Sequence, residues 1–376
     1  MPDNIRVRFA TNRNPVSGPD LFGPDFRDNN PKRYVTGSIE VKRLSNLPDS
    51  GWWPDPQTLQ VDPPIDAASF QLDEKGRNDI VSFARGRAVA GLVVDRTVRL
   101  PAAYGVILLP GFDSKFRDSM GRAAQVAHAY RAADVFCFSW PSQGKLDVPS
   151  YKADRIAALK SAQAIADSLR KLFAFLAALK ANNLPVLHIV AHSMGNYALR
   201  NAVQLIPLRE RNKTLFESAF LMAADENYDS LSKATELKPL VTLAKKVAVY
   251  KNGGDLALTA SQVINNYSRL GLWGPRNLRT LPATVTSVDC SDVGSTQGDN
   301  GESHLGHQYY RLSHWVIKDV IQVLAGIDPK KIEGRLAAIP DDEGGHAWWI
   351  PYDSGAAFQT RKRKTRKAKA WTTLTR

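Results

Sequence analysis

From residue 104 onward, short apolar runs alternate with longer stretches whose apolar residues fall three and four apart. "YGVILLPGF" (104–112), "ADVFCFSW" (133–140), "VLHIVA" (186–191), "SAFLMAA" (218–224), "KKVAVY" (245–250) and "ATVTSVDC" (283–290) read as strands. Residues 116–132, 151–183 and the stretch after Gly195 carry helical spacing. "HWVIKDVIQVLAG" (314–326) is a final amphipathic helix with a glycine stop. Runs that are apolar throughout belong to strands covered on both faces. The pattern therefore predicts an α/β fold with a mostly parallel sheet and helices on both sides.

Outside this region the pattern weakens. "IRVRFAT" (5–11) and "YVTGSIEVKRL" (34–44) are plausible strands among Pro- and Gly-rich loops, and "DEKGRNDIVSFARGRAVAG" (73–91) has helical character. The expected organisation is an entry of strands and loops over 1–100 and an α/β core over 101–325. A loop-rich arm over 326–360 follows, with "HAWWIPY" packing on the body, and then a basic tail over 361–376. No internal repeat is visible.

Composition narrows the class. The chain has 376 residues, 43% hydrophobic and 23% charged, enough for a large core in a soluble protein. Cys137 and Cys290 both lie in apolar runs and read as buried thiols, with no disulfide framework or metal motif. No apolar run reaches the length of a membrane span, and the start lacks the pattern of a signal peptide, so a cytoplasmic location is expected. The net charge of +13 is concentrated at the end, where "RKRKTRKAK" (361–369) holds seven positive charges and Arg376 another. The simplest reading is a solvated tail. The alternative is an arm contacting nucleic acid, an anionic surface or a protein partner.

The chemistry centres on "VLHIVAHSMGNYALRNAV" (186–203). Ser193 stands at a strand end and directly before a helix, where reactive groups gather in parallel sheets. A-H-S-M-G differs from the G-x-S-x-G nucleophile elbow at one position. Ala191 and Gly195 supply the small residues that so tight a turn requires. A helix-capping serine is the bland alternative.

A serine nucleophile needs a base, and the base needs an orienting acid, in the chain order Ser, Asp or Glu, His. His307, in "ESHLGHQYY" between the last strand and last helix, is the first candidate for the base and His304 the second. His314 reads as the start of the final helix. For the acid, Asp255 in "VAVYKNGGDLAL" leads, with Asp225 in "LMAADENYD" as the alternative. The oxyanion donors are expected from the backbone N–H groups of Met194 and Phe112, the latter in "LLPGFDSKF", where Gly111 permits close approach. Gly111, Trp140 and His192 are candidates to line a pocket, with packing an equal alternative for Trp140. Arg13 of "TNR" reads as a structural ion pair rather than a pocket residue. Residues 141–155 and 50–85 are the two lid candidates.

"ATNRN", "LLPGFDSKFRDSMGRAAQVAHAY", "FSWPSQG", "IVAHSMGNYALRNAV", "VYKNGGDLAL" and "GHQYY" occur in this order. Together they resemble the largely uncharacterised bacterial branch of esterase/lipase-like α/β-hydrolases. The resemblance spans residues 7 to about 325. It implies the α/β-hydrolase fold and a Ser-Asp-His hydrolase with Ser193, Asp255 and His307 on the matching positions. Pro110 departs from the family's histidine, but the expected oxyanion donor is a backbone group two residues later. The reading is a carboxylester hydrolase using no cofactor and no metal, with thioester, lactone or amide substrates served by the same groups. The alternative is a non-catalytic binding protein on a hydrolase scaffold, working through its basic tail.

Overall fold

A computed structural model of the chain describes residues 4–44, 51–62, 93–94, 98–99, 104–178, 186–211, 214–294, 305–338 and 346–352. The helix expected over 73–91, His304 and the tail over 361–376 lie outside the described residues.

Among these residues one large sheet forms. Its strands are β1 (Asn4–Thr11), β2 (Val35–Arg43), β3 (Trp52–Pro54), β4 (Gln60–Val61), β5 (Tyr104–Leu109), β6 (Asp134–Ser139), β7 (Val186–His192), β8 (Phe216–Met222), β9 (Ala244–Lys251), β10 (Val285–Asp289), β11 (Leu336–Ala337) and β12 (Ala347–Trp349). The order is β11-β12-β10-β9-β8-β7-β5-β6-β1-β2-β3, with β4 also on β2. From β12 to β1 every neighbour is parallel, as in Val190↔Leu108 and Ala191↔Leu109 between β7 and β5. At one margin β2 runs antiparallel to β1, and at the other β11 runs antiparallel to β12.

Period-two side-chain geometry explains the continuous apolar runs. Val106 and Leu108 of β5 enter one buried layer, and Ile107 and Leu109 enter the other. Helices α1 (Phe116–Tyr130) and α5 (His314–Leu324) cover the first face, and α2 (Val148–Ala178) and α3 (Gly195–Leu205) the second. Helix α4 (Leu256–Asn265) follows β9. Both cysteines are free and buried within the first layer.

Beyond residue 325 the chain contributes sheet where loop was expected. β12 joins β10 in parallel, and His346 sits buried with Nδ1 3.0 Å from the Val285 carbonyl. Buried Arg335 ion-pairs with Asp319 of α5 and reaches the Tyr250 hydroxyl at 3.2 Å. A two-stranded ribbon, Arg13–Pro15 with Phe22–Phe26, stands off the sheet after β1.

Candidate active site

All the parallel strands end on one edge, and the turn after β7 carries Ser193. Its φ is +53°, a left-handed conformation that costs a non-glycine residue about 1–3 kcal/mol. The surroundings over-determine it. The Ser193 N–H donates to the Met222 carbonyl at 3.0 Å. The Ser193 carbonyl accepts from Asn196 N at 3.0 Å, Asn196 Nδ2 at 3.1 Å and Asp225 N at 3.1 Å. Ser193 is 7% exposed.

The small residues around the serine make room for a neighbouring strand. A Cβ on Gly195 would overlap the Leu109 carbonyl at the end of β5, and one on Gly111 would lie 2.8 Å from Ser193 Cβ. Strand end, helix start and the Gly111 loop can meet only without these side chains. Met194 is fully buried beside the elbow, while Phe112 is half-buried with its ring 5.5 Å from Tyr151.

The loop over 110–114 is fixed from several directions. Trp140 is buried and donates from Nε1 to the Pro110 carbonyl at 3.0 Å, which makes it a packing residue. Arg13, 1% exposed, donates to the carbonyls of Ser114 (2.6 Å), Gly23 (3.0 Å) and Ser142 (3.2 Å) and to Ser139 Oγ (3.0 Å). Among the described residues no carboxylate lies within ion-pair distance of it, so the expected ion pair gives way to a fork that ties three loops together. Burial lowers the Arg13 pKa to about 10, offset in part by Asp154 and other acids. Of the lid candidate 141–155, Tyr151 and Asp154 are buried parts of α2, and Asp154 bonds Ser142 and Gln143.

Asp255 and His307 are brought together. Asp255 is fully buried as the N-cap of α4, where Oδ1 accepts from Leu258 N at 2.9 Å. Oδ2 accepts the His307 Nδ1–H at 2.6 Å. One carboxylate oxygen thus caps a helix while the other orients an imidazole. In the neutral ring this bond sets the proton on Nδ1 and leaves Nε2 as the acceptor.

Asp225 is engaged differently. Its carboxylate accepts from Tyr151 at 2.8 Å and from Ser261, and Arg269 and Arg155 approach at 3.6 and 3.8 Å. Among the described residues it bonds no histidine. His192 turns inward: it is 2% exposed, its ring stacks on Tyr310 at 4.3 Å, and Nε2 donates to the His307 carbonyl at 3.1 Å. Burial and the neighbouring His307 hold the His192 pKa well below its ordinary value, so the ring is neutral. His314 begins α5.

The family model described as "Alpha/beta hydrolase of unknown function (DUF900)" matches residues 99–325, more than half of the chain. The chain belongs to this family. No curated protein and no solved structure matches it. This α/β hydrolase has the fold of its superfamily, with Ser193 at the strand-to-helix turn where the superfamily carries its nucleophile. Among the described residues no helix is long and apolar enough to cross a membrane, and no group of three or more His, Cys, Asp or Glu gathers as metal ligands would.

Asn252 and Arg13 are the residues at this site that sequence reasoning missed or misassigned. Asn252 bonds both the Asp255 turn and the His307 turn. The only sequence signal for it was its place inside "YKNGGD", at a strand end three residues before Asp255.

Proposed function

We propose that this α/β hydrolase cleaves carboxylic esters through an acyl-enzyme formed on Ser193, in an aqueous cytoplasmic setting. The observation that carries the reading is the Asp255–His307 hydrogen bond at 2.6 Å, between a buried carboxylate and a partly exposed imidazole, on the same sheet edge as a serine in a strained strand-to-helix turn. His307 Nε2 takes the Ser193 hydroxyl proton as Oγ attacks the carbonyl carbon. Asp255 holds Nδ1–H and stabilises the imidazolium. The N–H groups of Phe112 and Met194 receive the oxyanion, and loss of one such donor typically costs about 10²–10³ in kcat. Collapse expels the alcohol, which leaves with the proton from His307. Water, deprotonated by the same nitrogen, then releases the acid and restores Ser193. Thioesters, lactones and amides fit the same sequence of steps. The oxyanion donor at residue 112 is main chain, so Pro110 leaves it in place.

A fluorophosphonate probe tests the proposal. Wild-type protein is expected to be labelled at Ser193, and Ser193→Ala to lose labelling and the hydrolysis of p-nitrophenyl esters. An unlabelled, correctly folded wild type would remove the hydrolase reading. A series of acyl lengths in the same assay defines the preferred ester.

A further inference from the structure

The turn that carries His307 is held through three successive carbonyls. Leu305 O accepts from Leu256 N at 2.9 Å, Gly306 O from Asn252 Nδ2 at 2.7 Å, and His307 O from His192 Nε2 at 3.1 Å. Asn252 does more than its share. It is 2% exposed at the end of β9, and its own N–H donates to the Gly271 carbonyl at 2.9 Å. Its Oδ1 accepts the Gly254 N–H at 2.9 Å and its carbonyl the Asp255 N–H at 3.2 Å. One amide therefore bonds the turn that presents Asp255 with its acceptor and the turn that presents His307 with its donor.

The space around that amide is made for it. A Cβ on Gly294 would lie 2.5 Å from Asn252 Nδ2 and one on Gly306 2.8 Å away, and Gly306 has φ +68°. Aspartate would lack the donor and set a carboxylate oxygen against the Gly306 carbonyl. Leucine would offer neither bond and leave the Gly306 carbonyl and the Gly254 N–H without this partner.

We infer that Asn252 is a positioning residue that sets the Asp255–His307 pair, fixing the base turn against the acid turn. Its effect on turnover rests on the hydrolase reading above, while its effect on the Asp255–His307 geometry does not. Asn252 bonds the main chain of Asp255 and of Gly306 but neither the Asp255 carboxylate nor the His307 ring. Without it, the two turns are joined by the Leu256–Leu305 backbone bond and by the Asp255–His307 bond itself. A misplacement of about 1 Å can cost on the order of 100-fold in rate.

The test uses the full chain with Asn252→Ala and with Asn252→Asp, which keeps the volume and the Oδ1 acceptor. Two readouts are taken. The first is the downfield proton resonance of His307 Nδ1–H, identified by its disappearance in His307→Ala. The second is ester kinetics, with turnover counted per site titrated by the fluorophosphonate, so that unfolded material does not count. Both variants are expected to broaden or lose the resonance and to lower kcat about 10- to 100-fold with KM within about twofold. Titrated sites that turn over at the wild-type rate, or a resonance that is unchanged in both variants, would overturn the inference. A wild type that shows the resonance but takes no probe would fail the hydrolase reading alone. The resonance in the variants then still decides the role of Asn252.

Discussion

His188 sits in the middle of β7, fully buried, and among the described residues neither ring nitrogen is hydrogen-bonded. Tyr104 and Phe220 surround it at 5.7 and 6.2 Å between ring centres. Burial, with a smaller contribution from Lys246, pushes its pKa from 6.5 down to about 3. The unfolded chain takes up this proton near pH 6.5, but the folded chain resists it until about pH 3. The associated stability is therefore complete above 6.5 and drains away as the pH falls toward 3, at up to about 1.4 kcal/mol per pH unit. His188→Phe is expected to flatten that slope, because the added ring joins an aromatic cluster and carries no proton. Urea unfolding at pH 7, 5 and 4 checks this, and equal slopes for the two proteins would refute it. The sequence placed His188 inside the strand but did not reveal its cost, which depends on partners from β5 and β8. Ser193, Asp255 and His307 were legible for the opposite reason. Chain order and strand ends narrow the choice to Ser193, Asp255 or Asp225, and His307 or His304 without any knowledge of their neighbours. The hydrogen bond between Asp255 and His307 appears only in the fold. Asn252 was not legible, because its value lies in a carbonyl 54 residues away along the chain.

The elements were legible where burial on both faces writes a continuous apolar run, as in β5, β7, β8 and β9. They were hidden where a strand is short. β12 has three residues, and only its pairing with β10 and β11 makes it a strand. The ribbon from Arg13 was hidden too, since its form depends on the guanidinium fork into Gly23 and on a hairpin whose register shifts between Arg13 and Pro15. The junction of β5, β7 and α3 yields the firmest prediction at this scale. Gly195→Ala would drive a methyl group into the Leu109 carbonyl, with the Pro110 carbonyl 2.8 Å away. Backbone cannot yield as a flexible side chain does, so a loss of about 1–3 kcal/mol or more is expected. Gly253→Ala is the control, because its nearest new contact is Ser291 Oγ at 3.5 Å. Thermal melting of the two variants should separate them clearly. Equal melting temperatures would mean that the junction is looser than its contacts indicate.

The whole molecule exceeds the segment that defines its family. The match covers 99–325, yet β1 lies well inside the sheet and β12 closes its far side, both outside that range. Cutting the chain after residue 325 would bare the β10 edge and remove the Ser287–His346 and Asp289–Ile350 backbone bonds. It would also leave Asp319 buried without Arg335. Asp319 would keep the Tyr250 hydroxyl but lose its counter-charge, and an exposed edge beside an uncompensated buried carboxylate favours association over folding. The truncated chain is expected to melt at lower temperature and to elute as aggregate in size-exclusion chromatography. A monodisperse product with unchanged melting would show that the terminal strands are dispensable.

The place of β1 has a consequence for how the protein is made. Val7 pairs with Val135 on one side and Ile39 on the other. β1 can form a hairpin-like pair with β2 soon after the two are made, but its parallel partner emerges more than a hundred residues after β1. At about 5–20 residues per second, that is a wait of several seconds or longer. Through that interval one edge of an apolar strand is open to wrong partners. Pairing on that side cannot begin until residues 135–139 have been made, so the order of the strands sets when this edge can close.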